Sequence, residues 1–101
     1  MIDWDRVLEL KSEVGEDVFG EIIEMFFEEV REALNELSQV RGNALEERLH
    51  FIKGCALNIG LREVSELCRI AESSTRDSAS DTINLEDIRR AFENSVVQFR
   101  A

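Results

Sequence analysis

The sequence predicts an all-α fold: an antiparallel four-helix bundle with a short additional N-terminal helix. Three observations lead there. Apolar residues recur at i, i+3, i+4 and i+7 through most of the chain, the spacing that lines one face of a helix. No proline in the 101 residues interrupts that pattern. The β-branched residues are scattered rather than alternating, so no stretch reads as a half-buried strand. A chain of this length suits one domain, taken as residues 1–101, able to bury a core without metal or disulfide staples.

The elements follow in order. Asp3 suits an N-cap, with Ile2 and Val7 spaced as a hydrophobic staple, and the first short helix stops before Gly15. A long helix runs from roughly Asp17 to Val40. Its apolar stripe is Phe19, Ile22, Ile23, Phe26, Val30, Ala33, Leu34 and Leu37, and Glu21, Glu24, Glu28, Glu32 and Glu36 line its other face. The stretch Arg41-Gly42-Asn43 breaks the chain. Asn43 and Glu46 are spaced as a capping box for a third helix reaching about Asn58, and Gly60 is placed to end it in a left-handed conformation. The fourth helix, about Leu61 to Thr75, turns Val64, Leu67, Cys68 and Ala71 inward. Ser73 to Thr82 is mostly small and polar and reads as the longest loop. The last helix opens with Asn84 as cap, Ile83 and Ile88 as staple and Asp87 at the capping-box position. Its core face is Leu85, Ile88, Phe92, Val96 and Phe99. Short links favour antiparallel neighbours. Periodicity leaves open whether the first helix lies across one end of the bundle or packs lengthwise.

Charge and cysteine content narrow the function. Twelve basic and 22 acidic residues give a net charge of −10, which argues against nucleic acid and anionic membranes and favours a protein partner with a basic or mixed face. No apolar run reaches the length of a membrane span. Cys55 and Cys68 fall at apolar helical positions and read as buried thiols, not a disulfide framework. The N-terminus is charged from its third residue, unlike a signal peptide, so the expected setting is a reducing cytoplasm. The chain is expected to be a monomer.

The only histidine, His50, lies on the third helix. With Leu45 as the zero of a helical wheel, Leu49, Ile52, Ala56 and Ile59 fall within about 40° and form the buried stripe. Lys53 falls near about 80°, Leu57 near about 120°, His50 near about 140° and Gly54 near about 180°. The histidine therefore points away from the core, with Lys53 and Gly54 as its i+3 and i+4 neighbours. An exposed glycine inside a helix costs about 1 kcal/mol relative to alanine. What it provides is clearance before the imidazole, while Lys53 supplies a positive charge. An open imidazole is nucleophilic near neutral pH, and this constellation suits an anion such as a phosphoryl group delivered by another macromolecule. Each part has an ordinary reading as well: a surface histidine, a glycine for close helix packing, a chance lysine.

Together, His50-Phe51-Ile52-Lys53-Gly54 followed by Gly60 resembles the H-x-x-K-G-x-x-x-x-x-G motif of histidine-containing phosphotransfer (HPt) domains. Ala56, the stretch from Gly60 to Cys68, the chain length and the helix order are similar too. The motif-level resemblance covers about 20 residues near His50, against the 101 of the chain. It implies that His50 is the phosphoacceptor at Nε2, taking a phosphoryl group from an aspartyl phosphate of a response-regulator receiver domain and passing it to another in two-component signalling. Lys53 would stabilise the phosphoryl oxygens, with Arg76 a further candidate. Gly54 would admit the receiver's active site, and Gly60 would end the helix. The contact patch would include Glu47, Phe51, Leu57 and Arg62, with Trp4 and Leu8 of the first helix extending it. Such a carrier has no kinase activity and no ATP site, binds no cofactor or metal itself, relies on Mg²⁺ held by the receiver, and works with a histidine or hybrid kinase. No P-loop or kinase glycine-rich loop occurs in the sequence. Glu46 and Glu47, one turn before His50, would repel added phosphate or attract a basic rim on the receiver.

Three rivals remain. Glu47-x-x-His50 has the spacing of di-iron carboxylate bundles, but those need two inward-facing copies. A hydrolase would need a nucleophile and a pocket beside His50. A non-catalytic helical adaptor, binding a protein through an apolar patch, is the principal alternative.

Overall fold

The computed structural model describes residues 1–76 and 84–100, the side chain of Arg76 excepted. Five α-helices follow in order: α1 Trp4–Val14, α2 Glu16–Glu36, α3 Gly42–Asn58, α4 Arg62–Arg76 and α5 Leu85–Arg100. A 3₁₀ turn, Leu37–Gln39, follows α2. Helices α2 to α5 form the four-helix bundle. Its core joins Val30, Leu34 and Leu37 to Leu49, Ile52, Ala56 and Ile59 of α3, Val64 and Cys68 of α4, and Ile88, Phe92 and Val96 of α5. Among the described residues, no helix is long and apolar enough to cross a membrane.

The caps show where local chemistry acts as the sequence predicts and where it does not. Asp3 accepts a hydrogen bond from the Arg6 backbone N–H at 3.3 Å and caps α1, with Ile2 and Val7 both buried. Asn84 caps α5 by accepting from the N–H groups of Glu86 and Asp87 at 3.1 and 3.4 Å. Ile83, its expected staple partner, lies outside the described residues. The Asn43–Glu46 capping box is not formed. Helix α3 already begins at Gly42, its cap position falls on Arg41, and no side chain caps it. Nor does Ser73 open a loop: α4 continues to Arg76, with the Thr75 hydroxyl bonded back to the carbonyls of Ala71 and Glu72. The rest of that expected loop, to position 82, lies outside the described residues.

On α2 the stripe is centred one residue away from the expected Phe26. Phe27 is fully buried and Phe26 only half-buried. Adjacent phenylalanines sit about 100° apart, and both fall within a broad apolar stripe. The aromatic rings of α5 decide between them. Phe27 meets Phe92 and Phe99 edge-on, at centroid distances of 5.9 and 5.5 Å.

Helix α1 seats at the end of the bundle where α2 begins, α3 ends and α5 ends. The Arg6 guanidinium Nε donates to the Asn58 carbonyl at 3.0 Å, Lys11 lies over the Phe19 ring, and Trp4 packs on Phe99. The residues before α1 pair with the α3–α4 turn. Asp3 N–H donates to the Gly60 carbonyl at 2.7 Å, Arg62 N–H donates to the Met1 carbonyl at 3.2 Å, and Asp3 and Arg62 form an ion pair. The Arg6 N–H, then the Arg62 guanidinium, hold the Asp3 carboxyl below its ordinary range.

Gly60 is the pivot of this end. Its φ is +76°, and Leu61 N–H reaches back to the Ala56 carbonyl at 2.8 Å, closing α3 in a Schellman-type turn. A Cβ on Gly60 would stand 2.7 Å from the Asp3 carbonyl oxygen, a backbone atom. Gly60→Ala therefore combines a left-handed alanine with displacement of the N-terminal segment. It should cost at least about 2 kcal/mol and lower the thermal midpoint by about 10 °C. Thermal unfolding followed by circular dichroism checks this; an unchanged midpoint would mean that the segment does not hold this seat.

Candidate functional site

Helix α3 buries Leu45, Leu49, Ile52, Ala56 and Ile59 and, by the same rotation, turns His50, Gly54 and Leu57 outward. The His50 side chain is 72% exposed. It is held nonetheless. Its Nδ1 lies 3.0 Å from Oε1 of Glu72, on α4, and the other carboxylate oxygen of Glu72 accepts from Lys53 Nζ at 3.2 Å. The Glu72 side chain is only 5% exposed. One buried carboxylate thus joins the histidine and lysine of α3 through the neighbouring helix.

An ionised carboxylate only accepts, so with Glu72 ionised it is Nδ1 that donates across this contact. In the neutral imidazole, Nε2 is then the nitrogen with the free lone pair. An outward nucleophile, oriented from behind by a buried acceptor, can attack an electrophile brought to the surface.

Gly54 has a plain structural reading here. Among the described residues, a Cβ at Gly54 would meet nothing within 4 Å, so the glycine does not serve packing against them. Its absent side chain leaves open space one turn beyond the ring. Lys53 lies between core and surface, its side chain 22% exposed, and its ammonium is directed to Glu72 rather than to solvent.

The other sequence-selected residues divide. Phe51 and Leu57 are exposed apolar side chains on α3, and Glu47 is exposed on the same helix. Arg62 is exposed but committed to Asp3, at the far end of the site. Gly60 lies in the α3–α4 turn, away from the imidazole and against the N-terminal segment. The side chain of Arg76 lies outside the described residues. Of the first helix, Leu8 is exposed and Trp4 is turned toward Phe99 of α5.

Glu72 is the residue that sequence reading missed. The signal was present: Glu72 follows Cys68 by four positions and Val64 by eight, so it lies on the buried stripe of α4. A carboxylate at such a position requires donors, and Lys53, on the edge of the buried face of α3, is one. The expected acidic neighbours Glu46 and Glu47 are not the groups that contact the imidazole; the carboxylate comes from the next helix.

Both cysteines are buried and free. Burial, then the charge of Glu72, pushes the Cys68 thiol up to about 12, and burial raises Cys55 as well. Neither offers a thiolate at the site. Among the described residues, no three histidine, cysteine or carboxylate side chains are gathered to hold a metal ion.

Comparison with known proteins agrees with this geometry. Residues 21–100 match the family described as Hpt domain. The phosphorelay intermediate protein YPD1 of Candida albicans (strain SC5314 / ATCC MYA-2876) is 27% identical over 103 residues, which cover 95% of this chain and 55% of that protein. The chain thus spans about half the length of this curated relative. No solved structure is a significant match. The matched span takes in most of α2 and the whole of α3, α4 and α5, and with them His50, Lys53, Gly54 and Glu72: the chain belongs to the Hpt domain family.

Proposed function

We propose that this chain is a phosphoryl carrier of two-component signalling, with His50 as its phosphoacceptor. Nε2 takes the phosphoryl group from the aspartyl phosphate of a response-regulator receiver domain and later yields it to the aspartate of another. The observation that carries the reading is the orientation of one ring: Nδ1 fixed by a buried carboxylate, Nε2 turned to open space. Lys53, bonded to the same carboxylate as the ring, would share its ammonium between Glu72 and arriving phosphoryl oxygens. Arg76 is a further candidate for that role.

The receiver's catalytic surface needs room to reach a nucleophile on a helix. Gly54 gives that room, and exposed Phe51 and Leu57 give an apolar surface on which it can seat, with Glu47 and Arg62 at the rim. The Mg²⁺ required for transfer is carried by the receiver, and the chain binds no cofactor of its own. A histidine or hybrid kinase would charge the first receiver. A non-catalytic adaptor could use the same apolar surface, but would have no use for an oriented imidazole.

Incubation with a phosphorylated receiver and Mg²⁺ separates these readings. The wild-type chain should acquire an acid-labile phosphate, and His50→Gln should acquire none; an unlabelled wild type would leave the adaptor. Gly54→Gln should reduce transfer by at least about 100-fold, while a better helix former at that position leaves the fold intact or up to about 1 kcal/mol more stable. Stopped-flow transfer alongside thermal melts measures both, and normal transfer would refute clearance as the role of Gly54. Lys53→Ala should slow uptake by about tenfold, the scale of one charge-assisted hydrogen bond, or shorten the lifetime of the phosphohistidine, read from quenched time courses.

A further inference from the structure

Gly54 leaves a weak point inside α3. Glycine is the poorest helix former after proline, and here it separates the turn that carries His50 from the last turn, which carries the exposed Leu57. That last turn has no basic residue of its own to meet the negative end of the helix dipole. Its carbonyls find partners further along the chain and outside the helix. Cys55 accepts from the Ile59 N–H at 3.2 Å and Ala56 from the Leu61 N–H at 2.8 Å, both in the turn that Gly60 makes. The Asn58 carbonyl accepts from Nε of Arg6 at 3.0 Å, across 52 positions of sequence.

Arg6 is held in place for that contact. Its Nη1 donates to the carboxylates of Glu9 and Glu13, three and seven residues further along α1, which orient the guanidinium. Val7 and Leu10 are buried on the same helix and seat it against the bundle. The family match begins at residue 21, so the whole of this brace precedes the matched span.

We propose that Arg6 is a positioning residue for receiver docking: through the Asn58 carbonyl it splints the last turn of α3 against the weakness that Gly54 introduces. The inference rests on the carrier reading of His50 and adds what keeps the Leu57 end of the docking surface in place. Glycine makes local opening of the turn beyond it easier, and a charge-assisted hydrogen bond from α1 makes it harder again. A receiver that seats only on the closed turn binds in proportion to the closed population. The imidazole lies before Gly54 and is tied to α4, so its own chemistry is untouched. Nothing among the described residues stands within 4 Å of a Cβ at Gly54, so a coupling between Gly54 and Arg6 has to run through the helix itself.

Amide hydrogen exchange tests this in a double-mutant cycle of Arg6→Ala and Gly54→Ala. Arg6→Ala should lower the protection of the Ile59 and Leu61 amides about tenfold and leave those of Leu49 and Ile52 unchanged; in the Gly54→Ala background the same change should cost at most about twofold. Equal losses in both backgrounds, no loss in either, or a loss spread evenly along α3 would each overturn the inference. With a receiver domain loaded from acetyl phosphate and Mg²⁺, Arg6→Ala should raise the receiver concentration for half-maximal transfer about threefold and leave the rate at saturation unchanged. A labelled wild type with no such shift in the variant overturns the inference alone, whereas an unlabelled wild type overturns the carrier reading with it.

Discussion

A buried carboxylate cannot be left without donors, and the structure around His50 is arranged to meet that requirement. Glu72 projects from α4 into the seam with α3 and receives the imidazole and the lysine ammonium there. Removing either donor would leave a desolvated negative charge short of a hydrogen bond, at a cost of about 1–3 kcal/mol or more. Two helices are thereby tied at the height of the reactive ring. The same tie fixes which nitrogen of the histidine faces outward. Stability and chemistry meet in this one group, while the apolar core, with Leu49, Ile52, Val64 and Phe92 among its members, holds α3, α4 and α5 together.

The two glycines of the motif illustrate how one residue type answers two different constraints. At Gly60 the constraint is internal: φ is +76° and the Asp3 carbonyl occupies the place of a side chain. Any other residue would strain the backbone and lift the N-terminal segment from its seat. At Gly54 the backbone is helical and, among the described residues, nothing lies within 4 Å of where a Cβ would stand. None of those residues demands a glycine there, and helix propensity disfavours it. On the proposed reading Gly54 answers to a partner, whereas Gly60 answers to the chain itself.

This difference also governs what could be read from the sequence. The helix order, the α3 stripe and the outward phase of His50 all follow from a period of 3.6 residues, and the structure repeats them because apolar burial dominates each of those choices. The caps at Asp3 and Asn84 were legible because a short polar side chain acts within its own turn. Asn43 misled for the same reason: cap chemistry was available there, but the chain entered the helix at Gly42 first. The α2 stripe could not be centred from its own sequence, since the choice between Phe26 and Phe27 rests on rings of α5, 65 positions or more away. Glu72 was hidden likewise. Its meaning depends on the 22-residue separation from His50 being closed by the α3–α4 turn, and local periodicity carries no information about that closure.

On the proposed reading, a nucleophile displayed on a helix face, rather than in a pocket, divides the work between two proteins. The chain itself supplies orientation, through Glu72, and local positive charge, through Lys53. The ring stands exposed on a helix face, so on this reading the electrostatic stabilisation that transfer requires would come with the partner. The absent side chain at Gly54 and the exposed apolar groups Phe51 and Leu57 on the same helix would then give the partner a surface, with Glu47 exposed beside them. Polar groups beside the ring would have to lose water whenever a partner seats, whereas bare and apolar surface favours the seating. The buried carboxylate escapes that exchange because it is already desolvated in the free chain, and its hydrogen bonds are formed before any partner approaches.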